Sequence, residues 1–206
     1  MLRNLVTIAL ALNTIANAEL STVENNIENV EIIENDETDH ALVGGTKWVN
    51  GMNMPWKSCG NDWGVDYNHN SWADLFQRYH SADANTVRQW IHFDGNKSIS
   101  LFDMHGYFKP LSTKFLQDAE DNLKLYKDNK MQAIFTLFSF ECVNNDNCEH
   151  MITQKASSDA YIKNGLKPLL DLFKKYRNQI YAIELFNEPE WMITGGEGVH
   201  RQISLK

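Results

Sequence analysis

Glycine and proline are sparse in this 206-residue chain, at 11 and 4, which excludes a collagen-like repeat. Cysteine is sparser still. Cys59, Cys142 and Cys148 form no CxxC pair and have no close His, so neither a zinc site nor any other metal is expected. A basic excess is missing too. The 27 acids outnumber the 19 bases for a net charge of −8, which argues against a nucleic-acid partner, since a backbone binder needs a basic face. Beyond the first eighteen positions no apolar run approaches the roughly 20 residues that cross a bilayer, so no membrane span is expected. No cofactor is expected either. What remains is 43% hydrophobic and 22% charged, the balance of an ordinary globular domain. Aromatics are plentiful, with 6 Trp, 7 Tyr and 10 Phe. Such rings fill cores and also stack on flat ligands.

The start of the chain reads as an address. Arg3 supplies a positive end, Leu5 to Leu12 a short apolar run, and Ala16-Asn17-Ala18 a small-x-small cleavage pattern. Residues 1–18 are therefore expected to be a secretory signal peptide, and the mature protein to be secreted and extracellular. Residues 19–40 form an acidic leader. Its eight acids (Glu19, Glu24, Glu28, Glu31, Glu34, Asp36, Glu37, Asp39) meet no Lys or Arg, and such a segment is expected to stay disordered. Residues 41–206 carry the periodic structure. In an oxidising compartment Cys142 and Cys148, on either side of a polar loop, suit a local disulfide. Cys59 is then left over. Asn96-Lys97-Ser98 is a glycosylation sequon.

Four strands and three helices alternate along 41–206. Strands are expected at Trp48–Asn53, Thr86–His92, Met131–Phe138 and Gln179–Phe186. The first helix carries Trp72, Leu75, Phe76 and Tyr79 at i, i+3, i+4, i+7, with Ser71 as N-cap and Asp74 closing a capping box. The second carries Phe115, Ala119, Leu123 and Tyr126. The third carries Leu166, Leu169, Leu170 and Phe173, with Pro168 kinking it or sitting in its first turn. Alternation of this kind argues for an α/β fold with a parallel sheet. Functional loops of such folds lie at the C-terminal ends of the strands. There the chain puts Asn53 and Trp56, then His92 and Asp94, then Ser139 and Glu141, then Asn187 and Glu188.

The period of two sharpens this. Thr86, Arg88, Trp90 and His92 are expected on one face of the second strand, and Ala182, Glu184, Phe186 and Glu188 on one face of the fourth. Charges aimed into a packed interior need partners. Arg88 paired with Glu184 is the simplest structural explanation for those two.

Phe186-Asn187-Glu188-Pro189-Glu190 resembles glycoside hydrolase family 5, the cellulase and mannanase group of (β/α)8 TIM barrels. The setting strengthens the likeness. Val49-Asn50-Gly51-Met52-Asn53-Met54-Pro55-Trp56 resembles the first strand of that family, Asn85-Thr86-Val87-Arg88-Gln89-Trp90-Ile91-His92 the second, and Ile183-Glu184-Leu185-Phe186-Asn187-Glu188-Pro189 the fourth. Trp90-Ile91-His92-Phe93-Asp94-Gly95 through Phe102-Asp103-Met104-His105-Gly106 is similar to the animal-type endo-β-1,4-mannanases of the family. The resemblance implies that Glu188 is the catalytic acid/base. It implies that Asn187 binds the 2-hydroxyl of the sugar beside the scissile bond, and that Arg88 holds the catalytic carboxylates in geometry. Trp56 and His92 would line the cleft, and Trp90 and Trp191 join Trp56 as candidate sugar platforms. The partner is then a β-linked plant polysaccharide, mannan or a related glucan. Two departures stand out. Leu137-Phe138-Ser139 replaces the Leu-Trp-Asn of the mannanases, and Gln89 stands where a branched apolar residue is usual.

Length completes the expectation. A (β/α)8 barrel takes about 250 residues, and this chain is expected to be such a barrel truncated after its fourth strand. The resemblance puts the nucleophile on a seventh strand, and no residue of this chain matches it. A retaining endo-β-1,4-mannanase is the leading expectation. A cellulase-type endoglucanase and a catalytically silent carbohydrate-binding fragment are the alternatives.

Overall fold

A computed structural model describes residues 42–43, 46–95, 101–195 and 202–203. The expected signal peptide, the acidic leader and the sequon at Asn96 lie outside them.

A short antiparallel ladder, β1 (Leu42–Val43) with β2 (Thr46–Lys47), precedes the main sheet. That sheet has four parallel strands in the order β3 (Gly51–Asn53), β4 (Thr86–Trp90), β5 (Gln132–Ser139) and β6 (Ile180–Asn187). Sequence order equals spatial order, so each crossover moves one strand along. β3 is shorter than the expected Trp48–Asn53, but pairing continues past it: the Met54 amide donates to the Arg88 carbonyl at 2.9 Å and the Trp90 amide to the Pro55 carbonyl at 2.8 Å. The first loop thus runs beside β4 before it turns away.

The helices α1 (His69–Ser81), α2 (Thr113–Asp128) and α5 (Lys167–Lys175) cover one face of the sheet. Trp72 and Phe76 of α1, Phe115, Leu123 and Tyr126 of α2, and Leu169 and Phe173 of α5 are buried against Val87, Ala133 and Phe135. Burial of each such ring or aliphatic chain stabilises the fold by about 1.5–3 kcal/mol. Gln89 is buried on the same face. Its Oε1 accepts from the Tyr126 hydroxyl at 3.0 Å, so the polar departure is matched by a polar partner inside the core.

Four local expectations are corrected. Asn68, not Ser71, caps α1: its Oδ1 accepts from the Ser71 amide at 2.9 Å, which starts the helix at His69. Asp74 closes no capping box and pairs instead with Arg78 one turn on. The loop between Cys142 and Cys148 is mostly helical, a 3-10 turn (Phe140–Asn144) followed by α3 (Asp146–Thr153). The third helical stretch also starts earlier than its apolar stripe, with α4 (Lys155–Tyr161) leading through a π turn (Ile162–Leu166) into α5. Pro168 sits in the first turn of α5. Its missing N–H and its ring are accommodated by that wide turn.

Candidate active site at the strand ends

The face of the sheet away from the helices carries a polar cluster. Arg88, at the middle of β4, points to this face. Its Nε donates to Glu184 Oε2 on β6 at 2.9 Å, and its Nη2 forms an ion pair with the same oxygen at 2.6 Å, across the intervening β5. β5 contributes Thr136, whose hydroxyl donates to the same oxygen at 2.6 Å. The side chains of Arg88 and Glu184 keep 22% and 30% exposure, so the pair is half-wet and screened in part. Arg88 does more than neutralise Glu184. Nη2 also donates to Asn187 Oδ1 at 3.0 Å, and Nη1 to Asn53 Oδ1 at 3.3 Å. One guanidinium therefore ties together three of the four strands, which the planar fork of arginine suits.

Glu188 stands just past the end of β6. The expected shared face of Glu184, Phe186 and Glu188 is broken there, because Glu184 and Asn187 both reach Arg88. Glu188 itself adopts φ +48°, a left-handed conformation uncommon for a side chain of its size. The turn leaves its carboxyl exposed, where Oε2 accepts from Asn187 Nδ2 at 3.1 Å. Pro189 and α6 (Glu190–Thr194) follow at once. Strain of this kind, held by its surroundings, is frequent where a side chain must face a ligand.

Asn187 is fixed from both ends. Its carbonyl oxygen meets Arg88, which can only donate, so its amide nitrogen faces Glu188 and, at 3.5 Å, the Ser139 hydroxyl. Ser139 is buried and opposite Asn187 in the ladder, and its hydroxyl donates to Glu141.

Aromatic rings edge the cluster. Trp56 meets Trp90 edge-on with centroids 5.1 Å apart, and the Arg88 guanidinium lies 5.4 Å from the Trp90 ring. Phe93 is the third member, 4.7 Å from Trp56 and 5.9 Å from Trp90. Trp191 follows on α6, its amide donating to the Glu188 carbonyl at 3.2 Å. It packs on Phe140 at 4.9 Å, beside Val143, Met192 and Ile203.

His92 does not line this cleft. β4 ends at Trp90, and the ring of His92 is fully buried on the other side, among Phe108, Phe115, Phe138 and Tyr161. Among the described residues neither ring nitrogen has a hydrogen-bond partner. Burial drives its pKa down to about 3, so the imidazole is neutral. Phe93, at φ +50°, takes the place beside Trp56 that was expected of His92. The reversal continues to Gly95, where φ is positive and a Cβ would lie 3.3 Å from the Cys148 sulfur, so any side chain would be strained there. Cys148 is bridged to Cys142, so the second strand end is packed against the disulfide-bonded turn that follows β5.

The cluster offers one exposed carboxyl hydrogen-bonded to an oriented amide, an arginine that holds that amide, and a wall of rings. Among the described residues no group of three His, Cys, Asp or Glu is placed to hold a metal ion, and no helix is long and apolar enough to cross a membrane.

No protein-family model matches the sequence. The chain is 30% identical over 159 residues to a mannan endo-1,4-beta-mannosidase of Cryptopygus antarcticus, which spans 74% of this chain and 41% of that protein. The crystal structure of the beta-1,4-D-mannanase from Cryptopygus antarcticus matches with a TM-score of 0.66 at 29% identity, covering 75% of this chain and 43% of that one. The endo-1,4-beta-mannanase from Eisenia fetida matches with a TM-score of 0.66 at 22% identity, covering 78% and 46%. The chain is thus homologous to mannan endo-1,4-beta-mannosidases over about three quarters of its length, and it spans less than half the length of these relatives. Its four parallel strands have the fold of those TIM-barrel enzymes.

Proposed function

We propose that this homologue of mannan endo-1,4-beta-mannosidases is itself a glycoside hydrolase of family 5 that cleaves β-1,4-mannan with retention of configuration. Glu188 is the group that protonates the departing sugar oxygen. The observation that carries the reading is the hydrogen bond from Asn187 to Glu188 at the end of β6, with Arg88 fixing the far end of the same amide. A sugar hydroxyl beside the acid would share the Asn187 NH2 that now faces Glu188 and Ser139. Trp56, Trp90 and Phe93 supply rings against which the C–H faces of a sugar pack.

Retention needs a second carboxyl about 5 Å from the first, to attack the anomeric carbon. Glu184 is a poor candidate, since its Oε2 is held by Arg88 and Thr136. Glu141 is held by Ser139. The reading assigns no attacking carboxyl to these four strands and leaves that role to the length of the relatives that this chain does not span. Residues 1–18 are read as a signal peptide and the protein as secreted. The Cys142–Cys148 bridge supports an oxidising compartment.

The test joins this chain to the remaining part of the Cryptopygus antarcticus mannanase and assays the product on β-mannan and on carboxymethylcellulose. Hydrolysis of mannan, reduced about a hundredfold or more by Glu188→Gln, is the expected result. Turnover of the cellulose derivative alone would make the chain an endoglucanase. A folded product that binds mannan without cutting it would leave a carbohydrate-binding module.

A further inference from the structure

We infer that Glu141, acting through Ser139, is a positioning residue that holds the Asn187 amide in the orientation Glu188 and substrate require. The inference rests on the function proposed above.

The direction of each proton follows from the chemistry of the groups. Arg88 has no acceptor, so Asn187 turns its carbonyl to it and its NH2 the other way. Two atoms lie on that side, Glu188 Oε2 at 3.1 Å and Ser139 Oγ at 3.5 Å. For Ser139 to accept from the amide, its single proton must go elsewhere. It goes to Glu141 Oε2. A carboxylate can only accept, so Glu141 fixes the serine hydroxyl as an acceptor on its other side. The hydrogen bonds then run in one sense, from Arg88 to the Asn187 carbonyl, from the Asn187 NH2 to Ser139, and from Ser139 to Glu141.

Arg88 alone is a weak clamp for Asn187. It divides its donors among Glu184, Asn53 and Asn187. Ser139 is well anchored. It is fully buried, its amide donates to the Phe93 carbonyl at 2.9 Å, and it pairs with Asn187 in the ladder. Without the Glu141 acceptor the Ser139 proton would turn toward the amide, which would then favour its carbonyl on that side and pull away from Arg88. In the leading resemblance this strand end carries an asparagine. Here a serine with a carboxylate behind it does the orienting.

The test uses the full 206-residue chain. The Asn187 side-chain amide resonances are followed by NMR, and the affinity for mannotetraose is measured in the same samples. Glu141→Leu and Ser139→Ala are expected to move those resonances and to weaken mannotetraose about tenfold, the effect of one lost hydrogen bond. Glu141→Gln, which still accepts, and Ser139→Thr, which keeps the hydroxyl, are expected to retain both properties. Melting temperatures within a few degrees of the parent in all four variants show that packing is intact. Unmoved Asn187 resonances in Glu141→Leu would overturn the inference, as would equal losses in Glu141→Gln and Glu141→Leu. Absence of mannan hydrolysis by the completed barrel would overturn the mannanase reading, while the amide resonances of this chain still decide the role of Glu141.

Discussion

Arg88 and Glu184 meet at 2.6 Å across the width of a strand that lies between theirs. The pair joins the second and fourth strands of the sheet, and through Asn187 it reaches the group proposed to do the chemistry. Arg88→Met removes the cation and leaves Glu184 with Thr136 as its hydrogen-bond partner. Both side chains keep some contact with water, so the expected loss of stability is about 1–2 kcal/mol, below that of a fully buried pair. Urea denaturation measures it. A second signature is a shift of the Trp90 indole resonance as the guanidinium leaves its ring.

Gln89 and Tyr126 form a polar pair inside an apolar layer. Gln89→Leu leaves a buried phenol unpaired and is expected to cost about 1–3 kcal/mol. Adding Tyr126→Phe removes the orphan and is expected to recover most of that loss. A double-mutant cycle by chemical denaturation separates the pairing from the change in shape.

His92 gives the fold a dependence on acid. Its pKa is near 6.5 when exposed and about 3 in the folded protein, lowered by burial. Between those values the unfolded chain binds a proton that the folded chain does not. Stability is therefore full above about pH 6.5 and falls as pH drops toward 3, by at most about 1.4 kcal/mol per pH unit from this one group. In His92→Leu that contribution vanishes, and denaturation midpoints between pH 4 and 7 are expected to change less steeply than in the parent.

Much of this fold was legible in the chain itself, for particular reasons. The helix stripes of Trp72, Phe76, Phe115 and Leu123 and the apolar run of β5 follow periods set by backbone geometry. Arg88 and Glu184 stood out because charge in a strand interior demands a partner. The strand ends were harder. His92 and Phe93 exchange expected roles because β4 stops at Trp90 and Phe93 takes a positive φ, a reversal that alternation cannot anticipate. Glu188 departs from its strand face for the same reason. Ser139 and Glu141 were visible as unusual residues at a strand end, but the contact between them depends on the 3-10 turn at Phe140, which no periodicity marks. The N-cap moved from Ser71 to Asn68 because both residue types cap helices equally well and only the backbone decides.

The most direct test of the central claim compares two substrates in the completed barrel described above. β-Mannan has a poor leaving group that needs a proton, whereas a dinitrophenyl β-mannobioside has one that leaves without it. If Glu188 is the proton donor, Glu188→Gln loses most of its rate on mannan while the first, burst-phase cleavage of the aryl glycoside stays close to that of the parent. An equal loss on both substrates, or no loss on mannan, would contradict the assignment.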